Sequence, residues 1–366
     1  MGPLMILRSL YLHRFRNYEE AYIEFGPHVN LICGLNAQGK TTLLEAIHYL
    51  MVGRSFRASQ NQELIKQGCS SFYIEGTFSK HGVEQKLRMS FDGKERKIIY
   101  NSTPLVATSS LLGILQGVLI TPDDIQLIKG SPLLRRQFLD LQIAQIDPLY
   151  VHHLTRYTRA MRQRNQLLKA KQSTTMTSWE HEMSQSAAYL TLQRSQAIKD
   201  LQRECQSFHS YLTGNSDPLG LNYKTTQLED ATLPERRQYQ LTQLQKNRIR
   251  EMALGYTLTG PHKDDVLISI SGKEARDFAS EGQQRSCATA LHLAEWHRLQ
   301  RLGDVIPLML IDDVGTSLDG SRKQRLLEQL KNLGQVFLTT TEEKLLDHWP
   351  DSKRLIHVCN GTISIG

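Results

Sequence analysis

The residues with the clearest chemical potential form a glycine-rich loop near the start of the sequence. The segment runs Gly34-Leu35-Asn36-Ala37-Gln38-Gly39-Lys40-Thr41-Thr42 and fits the pattern GxxxxGK[ST]. Glycines at this spacing let successive backbone N–H groups face a phosphate, and a helix that follows adds its positive N-terminal end. Lys40 can reach the outer phosphates of a nucleotide, and the Thr41 hydroxyl can bind Mg²⁺. The pattern predicts a nucleotide phosphate site; the alternative is an ordinary glycine-rich turn.

Two adjacent aspartates supply a second cluster. The apolar run Leu308-Met309-Leu310-Ile311 leads directly into Asp312 and Asp313. An apolar strand that ends in acidic residues is typical of a Walker B site. We expect Asp312 to hold Mg²⁺ and Asp313 to orient or deprotonate the attacking water; the alternative is a strand-end turn with two solvated aspartates. Lys40 and Asp312 are 272 positions apart (312 − 40), which predicts a large insertion between the two motifs.

A third motif precedes a predicted long helix. It reads Ser280-Glu281-Gly282-Gln283 and resembles the signature motif of ABC-type ATPases. In such enzymes two heads enclose two nucleotides, so the resemblance implies that Ser280, Gly282 and Gln283 of one copy contact the nucleotide of the other. A hydroxyl, an unobstructed amide and a helix start also suit a phosphate physically. The alternative is a helix cap with a glycine turn. Leu318-Asp319 resembles the D-loop, which adds Asp319 to the predicted nucleotide contacts.

Basic residues concentrate in the middle of the sequence. Residues 129–250 hold 18 basic and 10 acidic residues, a net charge of +8 against +7 for the whole chain. Within them, the run from Arg156 to Lys171 contains no acidic residue. Such side chains pair with DNA phosphates without reading bases, so we expect sequence-independent binding of duplex DNA that salt weakens. A solvated helix face is the alternative. The predicted DNA contacts are Arg54, Arg57, Lys86, Arg88, Lys94, Arg156, Arg159 and Arg162.

Hydrophobic periodicity predicts an α/β fold in which a helical region interrupts a mixed sheet. Strands are expected at 6–12, 21–25, 28–33, in a meander over 72–100, and at 265–271, 307–311 and 335–339. Helices are expected after the glycine-rich loop, over most of 133–205, and at 234–254, 283–302 and 321–333. We therefore expect a discontinuous head domain at 1–115 and 255–366, and a mainly helical arm at 116–254.

Composition excludes several classes of protein. The 366 residues are 40% hydrophobic and 22% charged, which predicts a folded chain of about two domains. The five cysteines include no CxxC pair, which argues against a disulfide framework or a zinc site and favours a reducing compartment. The longest apolar runs fall far short of the roughly 20 residues that cross a bilayer. We expect a cytoplasmic protein without a signal peptide or a membrane partner.

Four further stretches resemble the RecF family of bacterial recombination-repair ATPases, which have heads of the ABC/SMC type. The resemblance extends from end to end, in the family's order and at its length. The first stretch is Leu12–Tyr18 and the second is Gly53–Arg57. The third combines Thr121–Asp124, Lys129–Pro132 and Arg135–Asp140, and the fourth is Thr259–Asp265. The fourth contains His262, for which both a functional and a structural role remain open.

The resemblance implies a mechanism and a set of partners. ATP and Mg²⁺ would bind at the glycine-rich loop, at Asp312 and at Arg16. Two copies would close into an ATP-dependent homodimer around duplex DNA, and slow, DNA-stimulated hydrolysis through Lys40, Ser280 and Asp313 would release it. The family also implies action at gapped DNA and single-strand junctions, RecR and RecO as partners, and an indirect effect on RecA loading. It implies a nucleoid-associated protein that takes part in DNA replication and the SOS response.

Some residues depart from the family pattern. Gly315-Thr316-Ser317 stands where a larger apolar residue, Ser and Glu are usual, which affects the D-loop. Lys263 stands where Arg is usual, so a guanidinium fork becomes a point charge. Thr339-Thr340-Thr341 ends the strand on which ABC transporters carry a histidine switch. Asp313 replaces the transporters' glutamate base and is one methylene shorter, so we expect slow hydrolysis suited to a timed switch.

Three alternatives differ from this interpretation. A Rad50- or SMC-like DNA tether would need a long coiled coil, but Pro148, Pro218 and Pro234 interrupt the inserted region. A transporter's ATPase subunit would need a membrane partner and has no use for a middle region of net charge +8. A DNA-binding module with a vestigial nucleotide site remains open.

Overall fold

The computed structural model describes residues 3–214, 217–226, 228, 230–313, 320–348 and 353–365. The chain divides into two compact units. The first unit comprises residues 1–125, 207–216 and 280–366, and the second unit comprises residues 126–206 and 217–279. Within the described residues, no helix is both long enough and apolar enough to cross a membrane.

The strands, numbered in chain order, are β1 (Ile6–Phe15), β2 (Tyr18–Glu24), β3 (Val29–Cys33), β4 (Phe72–Lys80), β5 (Val83–Phe91), β6 (Arg96–Tyr100), β7 (Thr103–Pro104), β8 (Gly117–Ile120), β9 (Leu219–Lys224), β10 (Asp265–Ile270), β11 (Lys273–Glu274), β12 (Leu308–Ile311), β13 (Val336–Thr340), β14 (Lys353–Cys359) and β15 (Thr362–Ile365).

The helices are α1 (Lys40–Val52), α2 (Ile125–Lys129), α3 (Pro132–Ala144), α4 (Pro148–Lys169), α5 (Met176–Thr213), α6 (Leu233–Leu254), α7 (Ala275–Phe278), α8 (Glu281–Leu302) and α9 (Gly320–Leu330). Short 3₁₀ turns occupy Asn61–Leu64, Thr108–Leu111, Pro122–Asp124, Pro261–Lys263 and Glu343–His348. The long helices and the strands at 28–33, 72–100, 265–271, 307–311 and 335–339 agree with the sequence-based expectation.

One sheet of the first unit is antiparallel. Its strand order is β2-β1-β4-β5-β6-β7, and β4, β5 and β6 form the predicted meander. Burial alternates along β1, where Leu10 and Leu12 are fully buried and Tyr11 between them is partly exposed. This period of two is expected for a sheet with one face in the core and one in solvent.

The other sheet of the first unit carries the phosphate loop. Its order is β15-β14-β3-β13-β12-β8, and all neighbours pair in parallel except β14 and β15. Every residue of β3, β12 and β13 is buried, as expected for parallel strands covered on both faces. Parallel strands bring their carboxyl ends to one edge, which is where ligands bind in such sheets. The ends of β3, β12 and β13 therefore place Cys33, Ile311 and Thr340 at that edge.

The second unit combines helices with a small sheet. β10 lies between β9 and β11 in an antiparallel sheet of order β11-β10-β9. α3 packs against β10, and α4 packs against α6. α6 begins at a capping box between Thr232 and Glu235 and ends at Gly255, which adopts a left-handed conformation.

The expected domain boundaries at 115 and 255 differ from these units, and strand pairing explains both differences. β8 pairs with β12, so the first unit continues to residue 125. β9 pairs with β10, so residues 255–279 belong to the second unit. Both β8 and β9 lie in the stretch expected to be a mainly helical arm, because each is short and its partner is distant in sequence.

Candidate nucleotide-binding site

The glycine-rich loop connects the buried strand β3 to the buried helix α1. β3 ends at Cys33 and α1 begins at Lys40. Ala37 and Gly39 have positive φ angles of 63° and 118°, which curl the backbone between them. Glycine adopts such an angle without a steric cost, which explains the residue at position 39. The strand, loop and helix follow one another in the order that a phosphate site requires.

The Lys40 ammonium is held inside this loop. Its Nζ donates to the carbonyl oxygens of Gly34 at 2.7 Å and Leu35 at 2.8 Å. Burial lowers the pKa of Lys40, while the carboxylates of Asp313 and Asp312 oppose that shift. An ammonium has three N–H donors. The two carbonyls therefore fix the position of Nζ, and a third N–H can serve a phosphate oxygen.

Thr41 and the two aspartates meet at the sheet edge. The Thr41 hydroxyl donates to Asp312 Oδ1 at 2.9 Å, and the Thr339 hydroxyl donates to the same oxygen at 2.6 Å. Thr339 also accepts from the backbone N–H of Asp313 at 2.8 Å. One threonine on β13 thus positions both acidic residues. Thr339 departs from the transporter pattern, and its sequence context alone does not predict this role.

The paired oxygens of Thr41 and Asp312 fit a magnesium ion. Mg²⁺ prefers hard oxygen ligands and keeps several waters, so one hydroxyl and one carboxylate beside phosphate oxygens are sufficient. Asp312 is 7% exposed, and burial raises its pKa. A buried carboxylate of this kind gains stability from a nearby cation. Both residues predicted as metal ligands therefore lie where they could share one ion.

A buried glutamate on α1 organises two arginines. Glu45 is fully buried, and its carboxylate accepts from Arg16 Nε at 3.0 Å and from Arg16 Nη2 at 2.6 Å. Ser55 donates to it at 2.5 Å, and Arg57 Nη1 lies 3.7 Å from Glu45 Oε2. Glu45 thereby holds Arg16, a predicted nucleotide contact, next to Arg57, a predicted DNA contact. Glu45 is a functional residue that was not predicted; its only signal in the sequence is a single acid within the apolar start of α1.

These groups surround a cavity of about 870 Å³ in the first unit. The predicted nucleotide and metal residues that line it are Arg16, Asn36, Ala37, Gly39, Lys40, Thr41, Thr42, Asp312 and Asp313. Residues that were not predicted as nucleotide or metal contacts complete the lining, namely Asn17, Arg57, Glu63, Ile65, Lys66, Gln67 and Thr339. Cations, backbone amides and carboxylates converge here, which is the chemistry that a magnesium–nucleotide complex requires.

Three predicted nucleotide contacts of the glycine-rich loop do not line this cavity. Gly34 and Leu35 supply the carbonyl oxygens that bind Lys40, and the Leu35 side chain is 76% exposed. The Gln38 side chain bonds to Asn360, on the turn between β14 and β15. Asp319 and the Gly315-Thr316-Ser317 segment lie outside the described residues.

The signature-like motif forms the start of α8. Ser280 is the N-cap: its Oγ accepts from Gln283 N at 3.3 Å, and Gln283 Oε1 accepts from Ser280 N at 2.9 Å. This capping box satisfies two N–H groups at the helix start. A Cβ added to Gly282 would lie 2.9 Å from Arg322 Nη1, so a glycine admits α9 at this point. Ser280 is exposed, so its hydroxyl proton can still be donated outward.

The predicted DNA contacts on the antiparallel sheet differ in their surroundings. Arg88 Nε donates to Glu75 Oε2 at 2.8 Å, and Lys86 Nζ lies 3.9 Å from Glu75 Oε1. Lys94 is exposed on the turn between β5 and β6, and Arg54 is exposed after α1. Within the described residues, neither Lys94 nor Arg54 forms an ion pair. The sequence could not show that Glu75 is the cross-strand neighbour of Arg88.

The arginines of the basic run on α4 also fall into two groups, those that form ion pairs and those that are exposed. Arg156 is paired with Glu182, and the fully buried Arg164 is paired with Glu180 and Glu251. Arg159 and Arg162 are exposed, and no carboxylate in the described part of the chain pairs with them. The acids belong to α5 and α6, so inspection of α4 alone could not find them.

Other family-like stretches form a buried ion network in the second unit. Arg135 makes a bidentate pair with Asp265 at 2.8 and 2.9 Å. Arg194 pairs with both oxygens of Asp140 and lies 3.8 Å from Asp264. Asp140 belongs to one family-like stretch, and Asp264 to another. The network therefore explains these motif residues through the structure of the unit.

His262 has a structural role. Its Nδ1 lies 2.6 Å from the Tyr157 hydroxyl, and its Nε2 lies 3.1 Å from the Thr257 carbonyl oxygen. Burial lowers the pKa of His262 to about 4, so the ring is neutral near pH 7. Because a carbonyl only accepts, Nε2 carries the proton, and Nδ1 accepts from Tyr157. Tyr157, which interrupts the basic run on α4, is buried for this reason.

Comparison with known proteins identifies the family of the chain. The family model described as RecF/RecN/SMC N terminal domain matches residues 6–364. The DNA replication and repair protein RecF of Protochlamydia amoebophila (strain UWE25) is 59% identical over 352 residues, which cover 96% of this chain and 98% of that protein. RecF of Chlamydia trachomatis serovar L2 is 35% identical over 363 residues, which cover 99% of this chain and 98% of that protein.

Solved structures agree with this identification. A structure described as the recombination mediator protein RecF-ATP in the RecFOR pathway matches with a TM-score of 0.92 at 30% identity, covering 100% of this chain and 99% of the other. The Smc head domain of Pyrococcus furiosus matches with a TM-score of 0.58 at 16% identity, covering 99% and 96%, which shows a shared fold. The chain thus has the α/β fold of an ABC/SMC-type ATPase head, and it belongs to the RecF family of DNA replication and repair proteins.

Proposed function

We propose that this protein is an ATP-dependent switch that holds duplex DNA during repair and releases it after slow hydrolysis. The observation that carries the proposal is the single cavity in which the phosphate loop, the Thr41–Asp312 pair and Arg16 converge. Its size and its polar lining suit a nucleotide triphosphate with a bound metal. Family membership supports the same function, since a RecF relative has been solved with ATP.

Within the cavity, each group has a distinct role. The loop amides and Lys40 bind the β- and γ-phosphates, and Arg16 and Arg57 neutralise their remaining charge. Thr41 and Asp312 hold Mg²⁺, which supplies charge neutralisation at the phosphoryl oxygens when bound. Asp313 lines the cavity and orients the attacking water. Its backbone N–H donates to the Thr339 hydroxyl, which fixes the main chain at this position.

A second copy of the chain completes the site. We assign this role to Ser280 and Gly282, because the start of α8 exposes a hydroxyl and a positive helix end. Gln283 acts through the capping box that fixes Ser280. ATP would then stabilise a homodimer, because its γ-phosphate is shared between two copies. Asp319 remains a proposed contact by analogy with the D-loop.

Duplex DNA binds to basic residues that have no carboxylate partner. Arg54, Lys94, Arg159 and Arg162 are the strongest candidates, because within the described residues none of them forms a salt bridge; Arg159 acts on Glu182 only at longer range. The charges of Lys86, Arg88 and Arg156 are partly neutralised by Glu75 and Glu182, so each contributes less. Arg57 lies in the cavity and is proposed as a phosphate contact instead. Such contacts recognise the DNA backbone without its sequence.

The biological setting is also part of the proposal. The RecF relative solved with ATP is described as part of the RecFOR pathway. By this relation we propose RecR and RecO as partners, gapped DNA and single-strand junctions as targets, and an indirect effect on RecA loading. The alternatives are a Rad50- or SMC-like tether and a DNA-binding module whose nucleotide site is vestigial.

Sedimentation tests the switch directly. The wild type and Lys40→Met are compared with and without ATP–Mg²⁺ and a short DNA duplex. Lys97→Met, an exposed lysine on β6, serves as the control for loss of a positive charge. We expect an ATP-dependent dimer that duplex DNA strengthens in the wild type and in Lys97→Met, and a monomer in Lys40→Met. A monomeric wild type under every condition would contradict the composite site, and ATP-driven dimers without phosphate release would favour the vestigial-site alternative.

A further inference from the structure

The turn between β14 and β15 contacts the phosphate loop at Gln38. Asn360 and Gly361 form this turn, with φ angles of 48° and 72°. Both angles are positive, as in the type I′ turns that join antiparallel strands. Asn360 N donates to the Gln38 side-chain Oε1 at 2.7 Å, and Gly361 N donates to the Gln38 carbonyl at 3.1 Å. Two backbone N–H groups of this turn therefore donate hydrogen bonds to Gln38 of the loop.

The turn between β1 and β2 contacts the same peptide. Asn17 Nδ2 donates to the Gln38 carbonyl at 3.0 Å, and the Tyr18 hydroxyl donates to the Gly39 carbonyl at 3.1 Å. The two turns pack closely against each other, since a Cβ at Gly361 would lie 2.7 Å from the Asn17 carbonyl oxygen. All of these residues belong to the first unit. The carbonyl of Gln38 is thus held by two donors from two different turns.

Because the peptide bond is planar, the contact at the Gln38 carbonyl also determines the direction of the Gly39 N–H. In a trans peptide the C=O of one residue and the N–H of the next point in opposite directions. The Gln38 carbonyl accepts from Asn17 Nδ2 and Gly361 N, so the Gly39 N–H of the same peptide points away from these two donors. Gly39 lines the cavity, whereas the Gln38 side chain is bound to the β14–β15 turn.

We propose that Gln38, Asn17 and Gly361 form a clamp on the Gln38–Gly39 peptide that keeps the Gly39 N–H directed at the phosphate site. Gln38 is then a positioning residue, and the β14–β15 turn sets the affinity of the loop for ATP. The inference rests on the proposed binding of ATP and extends it to a part of the chain more than 300 positions from the loop. The residues act before hydrolysis, so they affect binding of ATP more than its turnover.

The test uses two variants of the clamp and one matched control in the full chain. Gly361→Ala places a Cβ against Asn17 in a strained backbone, and Gln38→Ala removes the side-chain acceptor without strain. Gly82→Ala is the control, because Gly82 also follows a positive-φ residue in a β-hairpin turn, has a φ of 76°, and would meet nothing within 4 Å. Gly361→Ala and Gly82→Ala therefore share the backbone strain, and Gly361→Ala adds the disturbance of the clamp.

The dissociation constant for ATP with Mg²⁺ is measured by calorimetric titration, and melting temperature is recorded for each variant. We expect ATP to bind about 3- to 10-fold more weakly to Gly361→Ala and to Gln38→Ala, as for loss of one or two hydrogen bonds. Gly82→Ala should bind ATP as the wild type does, although its melting temperature falls with that of Gly361→Ala. In hydrolysis, KM should rise in the clamp variants while kcat stays the same.

Other outcomes overturn the clamp. Unchanged ATP affinity in both Gln38→Ala and Gly361→Ala would show that the Gln38–Gly39 peptide needs no external support. An equal loss of affinity in Gly82→Ala and Gly361→Ala would show that general strain is the cause. A wild type that binds no ATP contradicts the proposed function itself, and this result is separate from either of the others.

Discussion

Thr339 combines two hydrogen bonds that hold both acidic residues of the site. Its hydroxyl donates to Asp312 and accepts from the backbone N–H of Asp313. Thr339→Val would remove one of the two hydrogen bonds to Asp312 Oδ1 and the acceptor of the Asp313 N–H, so we expect the free energy of unfolding to fall by about 1–3 kcal/mol. Urea unfolding measures this change, with the exposed Thr341→Val as the control. Equal stability of the two variants would show that Thr339 does not support the aspartates.

His262 makes the stability of the protein depend on pH. Its pKa is lowered to about 4 by burial, so the folded protein holds it neutral while the unfolded chain protonates it near pH 6.5. The stabilisation is therefore present above pH 6.5 and is lost as the pH falls towards 4. We expect the stability advantage of the wild type over His262→Gln to shrink by roughly 2 kcal/mol between pH 7 and pH 5.

Urea unfolding of both proteins at the two pH values measures this difference. His48 is also buried with a pKa lowered to about 4, so it contributes with the same sign in both proteins and cancels in the comparison. His292 has the opposite sign, because two carboxylates raise its pKa to about 10 despite burial, and it stays charged in this range. A pH-independent difference between wild type and variant would contradict the assigned neutral state of His262.

At the scale of one element, α4 carries one arginine that stabilises the fold and one that we propose to bind DNA. Arg164 is fully buried between Glu180 and Glu251, and Arg162 is exposed. Arg164→Met would leave the buried Glu251 carboxylate without a cation, whereas Glu180 would keep its pair with Arg248, so we expect a loss of about 3–5 kcal/mol in the free energy of unfolding. Arg162→Met should leave stability unchanged and weaken binding to duplex DNA. Urea unfolding and fluorescence anisotropy with labelled duplex measure the two effects, and the reverse pattern would refute this division of α4.

Elements with strong local signals could be predicted from sequence. The phosphate loop, α1 and β12 were predicted because glycine spacing and apolar runs are local properties. β8 was missed because its four residues gain their structure from β12, nearly two hundred positions away. The ion pairs of Arg156 and Arg88 were missed for the same reason, since Glu182 and Glu75 are neighbours only in the fold. Local pattern thus predicts which groups exist, and tertiary contacts determine which charges remain unpaired.

For the whole molecule, the proposed DNA contacts predict a specific dependence on salt. Each cation that neutralises a DNA phosphate contributes about one unit to the slope of log affinity against log salt concentration. We expect Arg159→Ala and Arg162→Ala each to lower that slope by about one. Arg156→Ala should change it less, because Glu182 already neutralises that side chain. Anisotropy titrations across a range of potassium chloride concentrations measure the slopes. If the affinity of the wild type for DNA did not change with salt concentration, recognition of the DNA backbone would be contradicted.

The position of β3 in the parallel sheet has a consequence for synthesis of the protein. β3 carries the phosphate loop, yet its two neighbours are β13 and β14, and the first of these begins 307 residues after β3 (336 − 29). A ribosome adding about 5–20 residues per second needs roughly 15–60 s to supply them. Throughout that interval the nascent chain contains the complete GxxxxGKT sequence but has an apolar strand with no partner on either side. A truncated product would therefore be prone to aggregation and unable to bind nucleotide, even though its phosphate-loop motif is intact.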